Sequence, residues 1–462
     1  MKSKKKTRHI KKRNKTIRKK KYVIIKKNTD LSLLSLKESV KMDIKSPLNS
    51  FSPEINKQII KNLKSQEKKN ILDSLFQCNF VGTQGNINEL WKLMEVSGPK
   101  TLKLSLNNNK CLEWSSPPII KEMLKLLFAD NKINEKEIIS PKQISSNCWF
   151  NCGFMNNFIS DKGRKFWKIF RYFMIIGKLP EISNTKTKSN SKNSLFFNLV
   201  SNDKIPKLHT QLPINLYFQF FLMNLSIEAV LKGNKLSLML DTNDIIKGIS
   251  RELDKEKYKR NWIVSVHKAG NPRKYFDEIF NYFLPNHGIS QISIYLDLKS
   301  ETSTTIQEEV EKYFHSLNKN KNQLQKIDKL RLKRIEYSNY KVSHIPDIIT
   351  VIILDEAISK KKIPKKLMKI NINGITYKLD SILSIDTLGK HFCSFLTINN
   401  KFMAFDGESF SKLTEFNWPI FINKNINIFF EGTFLNSNSS SLKQLKWNFM
   451  KCYQELNYYR LS

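Results

Sequence analysis

Apolar residues recur at intervals of three and four through the first two-thirds of the chain, which predicts helices. In SPEINKQIIKNL, Ser52 is placed as an N-cap with Pro53 in the first turn, and Ile55, Ile59, Ile60 and Leu63 share one face. SPPIIKEMLKLLF repeats the arrangement with Ile119, Ile120, Met123, Leu124 and Leu127. Residues 31–139 therefore read as helical. Farther on, Ser160 and Asp161 stand ready to cap a helix whose stripe is Phe166, Ile169, Phe170, Phe173 and Met174. Helical patterns return at 212–232 and 272–284. The most apolar stretch, INLYFQFFLMNLSIEAVL from Ile214, carries Asn, Gln and Glu. It reads as a buried helix, and no membrane span is expected.

The period then shortens. ISIYLDL (Ile292–Leu298) alternates like a half-buried strand, and DIITVIIL (Asp347–Leu354) is a continuous apolar run. GITYKLDSILSI (Gly374–Ile385), HFCSFLTI (His391–Ile398) and KFMAFDG (Lys401–Gly407) follow at short spacing, with Asn399–Asn400 suited to a hairpin turn. Helices first and an antiparallel meander later predict the α+β class. Two stretches interrupt the pattern: a Ser/Asn/Lys-rich excursion at 181–207 and a charged helical insertion with a solvated face at about 303–336.

Charge changes the picture at one end. Of a net +38, fifteen Lys/Arg fall within the first 27 residues, which contain no acid. Residues 1–29 are therefore expected to be a disordered basic tail that contacts nucleic acid, an import receptor or another anionic surface. No apolar core follows it, so it is not a secretory signal. Hydrophobic residues are 40% of the chain, enough for a sizeable core, and abundant Lys, Asn and Ile fit A/T-rich codons. The cysteines Cys78, Cys111, Cys148, Cys152, Cys393 and Cys452 are scattered and form no CxxC pair. That pattern argues against a structural zinc site and a disulfide framework, and for a reducing compartment.

Candidate chemistry gathers around ISSNCWFNCGFMNNF (Ile144–Phe158). Cys148 lies after a turn-prone stretch and before a helical pattern, so it is placed at a helix N-terminus, where a thiolate is favoured. Cys152, one turn further in, reads as a buried packing residue. Of seven histidines, His391 begins a strand after the loop DTLGK, and Asp406 follows the next strand. An antiparallel hairpin brings such a pair together, and a carboxylate beside an imidazole fixes its tautomer. Gln143, five residues before Cys148, is placed to donate to an oxyanion. Each has a plainer reading: Cys148 as a small buried hydrophobe, His391–Asp406 as a surface ion pair, Gln143 as a turn residue. Cys393 reads as packing.

The same segments resemble the ubiquitin-specific proteases, a papain-like family of cysteine peptidases. KQISSNCWFNCGFM (Lys142–Met155) is similar to the family's Cys box, GLxNxGNTCYMNSxLQ, at Cys148, the aromatic Trp149 and Asn151. YKLDSILSIDTLGKHFCSFLTINNKFMAFDG (Tyr377–Gly407) is similar to the His box at Tyr377, Leu379, His391, Phe392, Phe395, Phe402, Phe405 and Asp406. The chain departs from the pattern where GNTC becomes SSNC, where Asp386–Thr387 replaces a second His, and where paired CxxC fingers are missing. CWFN…FISDKGRKFWKIFRYFMI also resembles uncharacterised proteins of large DNA viruses.

The resemblance implies a papain-like α+β peptidase. A helical half carries Cys148 as nucleophile, and an antiparallel sheet carries His391 as general base and acid with Asp406 orienting it. Gln143 occupies the oxyanion position. It implies a catalytic domain over 141–440 after a helical region at 30–140, with a C-terminal helix at 441–462. No cofactor is implied. The implied partner is a ubiquitin or ubiquitin-like conjugate, and the location is the cytoplasm or nucleus of a host cell, or a virion. Two alternatives stay open: a catalytically degenerate binding or virion scaffold protein, and a basic nucleic-acid-associated protein.

Overall fold

The computed structural model describes residues 22–25, 78, 102–106, 110–128, 133–144, 146–180, 208–234, 237, 242–255, 272–283, 291–296, 304–319, 346–353, 363–408, 413–431, 434–435 and 443–461. Seven α-helices are used below: α1 (Pro117–Phe128), α2 (Cys148–Phe154), α3 (Asp161–Ile176), α4 (Ile214–Leu231), α5 (Thr242–Lys255), α6 (Pro272–Phe283) and α7 (Ile306–Lys319). The early strands are β1 (Tyr22–Ile25), β2 (Lys103–Leu106), β3 (Lys110–Glu113), β4 (Lys178–Pro180) and β5 (Leu208–Gln211). The later strands are β6 (Gln291–Leu296), β7 (Ile348–Ile353), β8 (Lys369–Ile372), β9 (Ile375–Ile385), β10 (Phe392–Ile398) and β11 (Lys401–Phe405). After them come β12 (Thr414–Glu415), β13 (Asn427–Phe430), β14 (Phe434–Leu435), β15 (Lys443–Gln444) and β16 (Gln454–Arg460). Helices precede strands, as the change of period predicts, and the class is α+β.

One eight-stranded sheet organises the molecule. Its order is β12-β11-β10-β9-β16-β7-β6, with β8 also on β9. All pairs are antiparallel except β6 with β7. Both faces are covered. Helices α1–α6 pack on one face, meeting Leu383, Phe392, Leu396, Met403 and Phe405. On the other face lie α7 and the segments around Trp418, Phe421, Trp447 and Phe449, which meet Leu379, Phe395, Leu456 and Tyr458. Two-sided burial explains why β7, β10 and β16 are buried at every position, where a one-sided sheet would alternate.

The local signals act as the sequence indicates at α3. Ser160 is its N-cap, with Oγ accepting from Gly163 N at 3.2 Å, and Gly177 ends it in the left-handed conformation. Asn399 and Asn400 both take positive φ, at 49° and 64°, in the two-residue turn between β10 and β11. Helix α4 is long and apolar enough to cross a bilayer, but 78% of it is buried inside the protein. Its Asn224 and Glu228 accept from Arg171 at 2.9 and 2.5 Å, a pairing that a helix with an all-apolar surface would not make.

Four expectations are corrected. Residues 441–462 contain no helix among those described; 454–460 form β16, which inserts between β9 and β7. Leu456 and Tyr458 fill one core and Tyr459 the other, so QELNYYR carries a two-sided strand pattern. Cys78 and Cys111 form a disulfide with Cα atoms 5.5 Å apart, a pairing that 33 residues of separation conceals. Residues 103–106 and 110–113 pair antiparallel as β2 and β3 within the region expected to be helical. Helix α7, in the charged stretch expected at 303–336, has a solvated face with Glu311, Lys312 and His315 exposed, while Ile306, Val310 and Phe314 are buried in the second core. In the basic tail, Tyr22–Ile25 pair in parallel with β13. The remainder of that tail, the 181–207 excursion and the SPEINKQIIKNL helix lie outside the described residues.

The helical and sheet halves are joined by carboxylates. Asp161, in the first turn of α3, accepts from Asn399 N at 2.9 Å and Asn400 N at 3.1 Å. Reciprocally, Asp380 on β9 accepts from Lys162 N at 2.9 Å at the start of α3. Burial, with the Asp161 charge adding to it, raises the Asp380 carboxyl to about 6. Asp161→Ala should lower stability by roughly 1–2 kcal/mol, because two half-buried amides lose a charged acceptor. The urea midpoint should fall with an unchanged slope; an unchanged midpoint would show that the hairpin turn is held by other contacts.

Candidate active site

Helix α2 begins at Cys148 and is buried throughout. Side-chain amides fix the loop that feeds it. Asn147 Oδ1 accepts from Ile144 N at 3.0 Å, and its Nδ2 donates to Thr242 Oγ1 at 2.8 Å. Thr242 donates in turn to Asn151 Oδ1 at 2.7 Å, and Asn151 Nδ2 reaches Lys142 O at 3.3 Å. Asn243 Nδ2 holds Ile144 O at 2.9 Å. Asn147 sits at φ −93°, ψ 8°, which any residue adopts. Below the loop, Phe150 stacks on Phe276 and meets Tyr275 edge-on, with ring centroids 5.6 and 5.4 Å apart. Gly153 admits this closeness, since a Cβ there would lie 2.5 Å from the Phe276 ring.

The partner residues come from the β10–β11 hairpin. Ser394 pairs with Phe405, so His391 before β10 and Asp406 after β11 leave the ladder at the same end. Helix α2 packs on β10. His391 Nε2 lies 2.5 Å from Asp406 Oδ1, both residues being buried. Cys148 lies close enough to the His391 ring to add to the rise in its pKa. With Nε2 committed to Asp406, Nδ1 is the ring nitrogen left for a second partner. Burial opposes the imidazolium. Asp406, by charge and hydrogen bond, and then Cys148 outweigh that opposition and raise His391 well above its ordinary value.

The structure thus brings Cys148, His391 and Asp406 together. Gln143 is close by: its N donates to Gly407 O at 3.1 Å, and its Nε2 donates to Glu408 Oε1 at 2.9 Å. Cys152 is buried, and its thiol is pushed well up by burial and then by Cys148 and Asp406. Cys393 is fully buried and likewise pushed up, first by burial. Among the described residues, no group of three His, Cys, Asp or Glu side chains is arranged to hold a metal ion.

The sequence reading assigned no role to three neighbours. Asp386 accepts from Leu388 N at 2.8 Å, Lys390 N at 2.6 Å and His391 N at 2.8 Å, and its own N donates to His391 O at 2.8 Å. It fixes the loop that presents the histidine. An Asp opening a turn that contains Gly was the available signal. Trp447 packs edge-on against the His391 ring at 5.8 Å, and was hidden within the stretch expected to be helical. Glu408, which holds Gln143, carries no motif.

No protein-family model and no curated protein matches the chain. Among solved structures, the chain is similar to a SAGA DUB module, Ubp8/Sgf11/Sus1/Sgf73, bound to monoubiquitin. The TM-score is 0.36 with 10% identity, over 88% of this chain and 95% of that one. The same module bound to ubiquitin aldehyde gives a TM-score of 0.34 with 10% identity, again over 88% and 95%. A structure of an essential yeast splicing factor gives 0.28 with 9% identity, over 82% and 90%. Likeness this distant decides nothing about chemistry, which has to be read from the site.

The electrostatics give a pH test. A raised histidine pKa contributes stability that is complete below the unfolded value of about 6.5 and is lost as pH rises through the folded value. Asp406→Asn removes the carboxylate that raises it. The stability gap between wild type and Asp406→Asn should therefore be larger near pH 6 and shrink toward pH 9, as read by denaturant unfolding at each pH. A gap that does not change with pH would mean that His391 is neutral in the pair.

Proposed function

We propose that the chain is a papain-like cysteine hydrolase of the deubiquitinase kind. The observation that carries this reading is Cys148 at a helix start, beside a His391 that is itself held by Asp406 at 2.5 Å. A helix N-terminus and an adjacent imidazolium both favour the thiolate. Ubiquitin as the substrate class is supported by the two sequence blocks, Lys142–Met155 and Tyr377–Gly407, in their order and internal spacing.

His391 takes the proton of the Cys148 thiol, and the sulfur attacks the carbonyl of a peptide or isopeptide bond after a C-terminal glycine. The C=O electrons move onto oxygen. The Gln143 amide and the Cys148 backbone N–H stabilise that oxyanion. As the C–N bond breaks, His391 passes its proton to the leaving amine, and a thioester to Cys148 remains. His391 then takes a proton from water, hydroxide attacks the thioester, and the thiol returns. Asp406 stays ionised and keeps Nε2 occupied, so Nδ1 performs each proton transfer. The basic run in residues 1–29 supports a second contact, with nucleic acid or another polyanion, at an intracellular location.

Ubiquitin bearing a C-terminal propargyl group tests the proposal. Wild type should form a covalent adduct, seen as a gain of one ubiquitin mass, and Cys148→Ala should form none. Cys152→Ala should retain the adduct and lose about 1–2 kcal/mol of stability, because it deletes one small buried side chain. Adduct lost only in Cys152→Ala would transfer the role one turn along the helix. No adduct in wild type would favour the binding-only alternative.

A further inference from the structure

The segment that leads into Cys148 is held by a relay of side chains that ends on backbone groups at both sides. Ile144 N donates to Asn147 Oδ1 at 3.0 Å, and Asn147 Nδ2 donates to Thr242 Oγ1 at 2.8 Å. Thr242 Oγ1 donates in turn to Asn151 Oδ1 at 2.7 Å, and Asn151 Nδ2 donates to Lys142 O at 3.3 Å. Thr242 opens α5, so the middle of the relay comes from a second helix, 95 residues beyond Asn147 and 91 beyond Asn151. Asn147, Asn151 and Thr242 are all buried.

The sense of the relay follows from its ends. A backbone N–H only donates and a backbone carbonyl only accepts. Ile144 N therefore selects the oxygen of Asn147, which turns the Asn147 nitrogen to Thr242. Lys142 O selects the nitrogen of Asn151, which turns the Asn151 oxygen to Thr242. The group between them must accept on one side and donate on the other. A hydroxyl does both, with one proton to give and lone pairs to receive. An apolar side chain in its place breaks both bonds at once, and burial makes each loss costly.

The relay bears on the nucleophile through Asn147. That residue immediately precedes Cys148, and its carbonyl accepts from Asn151 N at 3.0 Å, the first bond of α2. With its side chain bonded at both ends, the Asn147 backbone is fixed. The next peptide unit carries Cys148 N–H, one of the amides that the first turn of a helix leaves without an intrahelical partner.

We propose that Thr242 is a positioning residue: its hydroxyl completes the relay between Asn147 and Asn151 and so fixes the backbone at Cys148, including the N–H assigned above to the oxyanion. Its consequence for turnover rests on the hydrolase reading; the relay itself does not.

The experiment has two arms on the full-length protein. In the first, ubiquitin carrying a C-terminal aminocoumarin amide is hydrolysed, at a temperature below the melting transition of every variant used. Thr242→Val keeps the shape of threonine without the hydroxyl. It should lower kcat roughly 10–100-fold with KM unchanged, because misplaced reacting groups slow the chemistry and leave the ubiquitin surface bound as before. Thr242→Ser keeps the hydroxyl and should hold kcat within about 3-fold of wild type. Unchanged kcat in Thr242→Val would overturn the proposal. So would a loss confined to KM, or a Thr242→Ser variant as impaired as Thr242→Val.

The second arm reads the relay in wild type, whatever the turnover and however the variants fold. In protein labelled with 15N-asparagine, the Asn147 side-chain amide protons should show nuclear Overhauser effects to Thr242. Those of Asn151 should show stronger effects to Lys142 than to Thr242. An Asn151 amide that contacts Thr242 in place of Asn147 would reverse the sense of the relay, and contact from neither would remove it; both results overturn the proposal. If wild type does not hydrolyse the substrate, the hydrolase reading fails and this arm alone decides the relay. It also decides if Thr242→Val does not fold.

Discussion

The 2.5 Å contact between His391 Nε2 and Asp406 Oδ1 is the constraint around which the site is built. Burying an imidazolium is unfavourable unless a carboxylate is already in place. Asp406 is fully buried and His391 nearly so, and the neighbouring backbone is arranged to keep them there. Asp386 gathers three amides, including that of His391, and closes the loop on itself. Trp447 lies against the other side of the ring, itself fixed by two backbone bonds to Ile428 at 2.7 and 2.9 Å. The ring therefore has little freedom to turn.

Cys148 and His391 come from different layers, one from a helix and one from the sheet, so their distance depends on how the layers join. The joins are polar and close to the site. Asp161 caps the hairpin turn, Asp380 caps the start of α3, and Ser394 Oγ bonds the Asn156 side chain just beyond α2. Apolar packing alone tolerates sliding between layers, whereas hydrogen bonds set registration. Covering the second sheet face has a related effect. Lys366 Nζ donates to Ile422 O and Phe449 O at 3.2 and 2.6 Å, tying down the segment that carries Trp447. Burial lowers that lysine to about 7, so it forms these bonds with a reduced hold on its proton.

Much of this was legible in the chain. The cap at Ser160, the turn at Asn399–Asn400 and the buried helix from Ile214 follow from local rules, and the structure shows each. Cys148, His391, Asp406 and Gln143 were singled out by residue type, placement and resemblance, and the fold brings all four into one neighbourhood. What was not legible depends on tertiary context. QELNYYR lies in a central strand because both its faces find a core, which no window of seven residues reveals. The Cys78–Cys111 pairing joins segments 33 residues apart, and Glu408 gains its partner across 265 residues. Helix α7 has a charged exterior, and the three residues it buries are sparse enough to be read as incidental.

The protonation state of His391 measures the central claim most directly. Nitrogen-15 NMR of histidine-labelled protein distinguishes an imidazolium, protonated on both nitrogens, from a neutral ring with one. The expected result is an imidazolium that persists well above pH 6.5 in wild type, because Asp406 and Cys148 together outweigh the effect of burial. A neutral ring at pH 7, titrating at or below about 6.5, would mean that Asp406 does not hold a charged base beside Cys148, and would contradict the site as described.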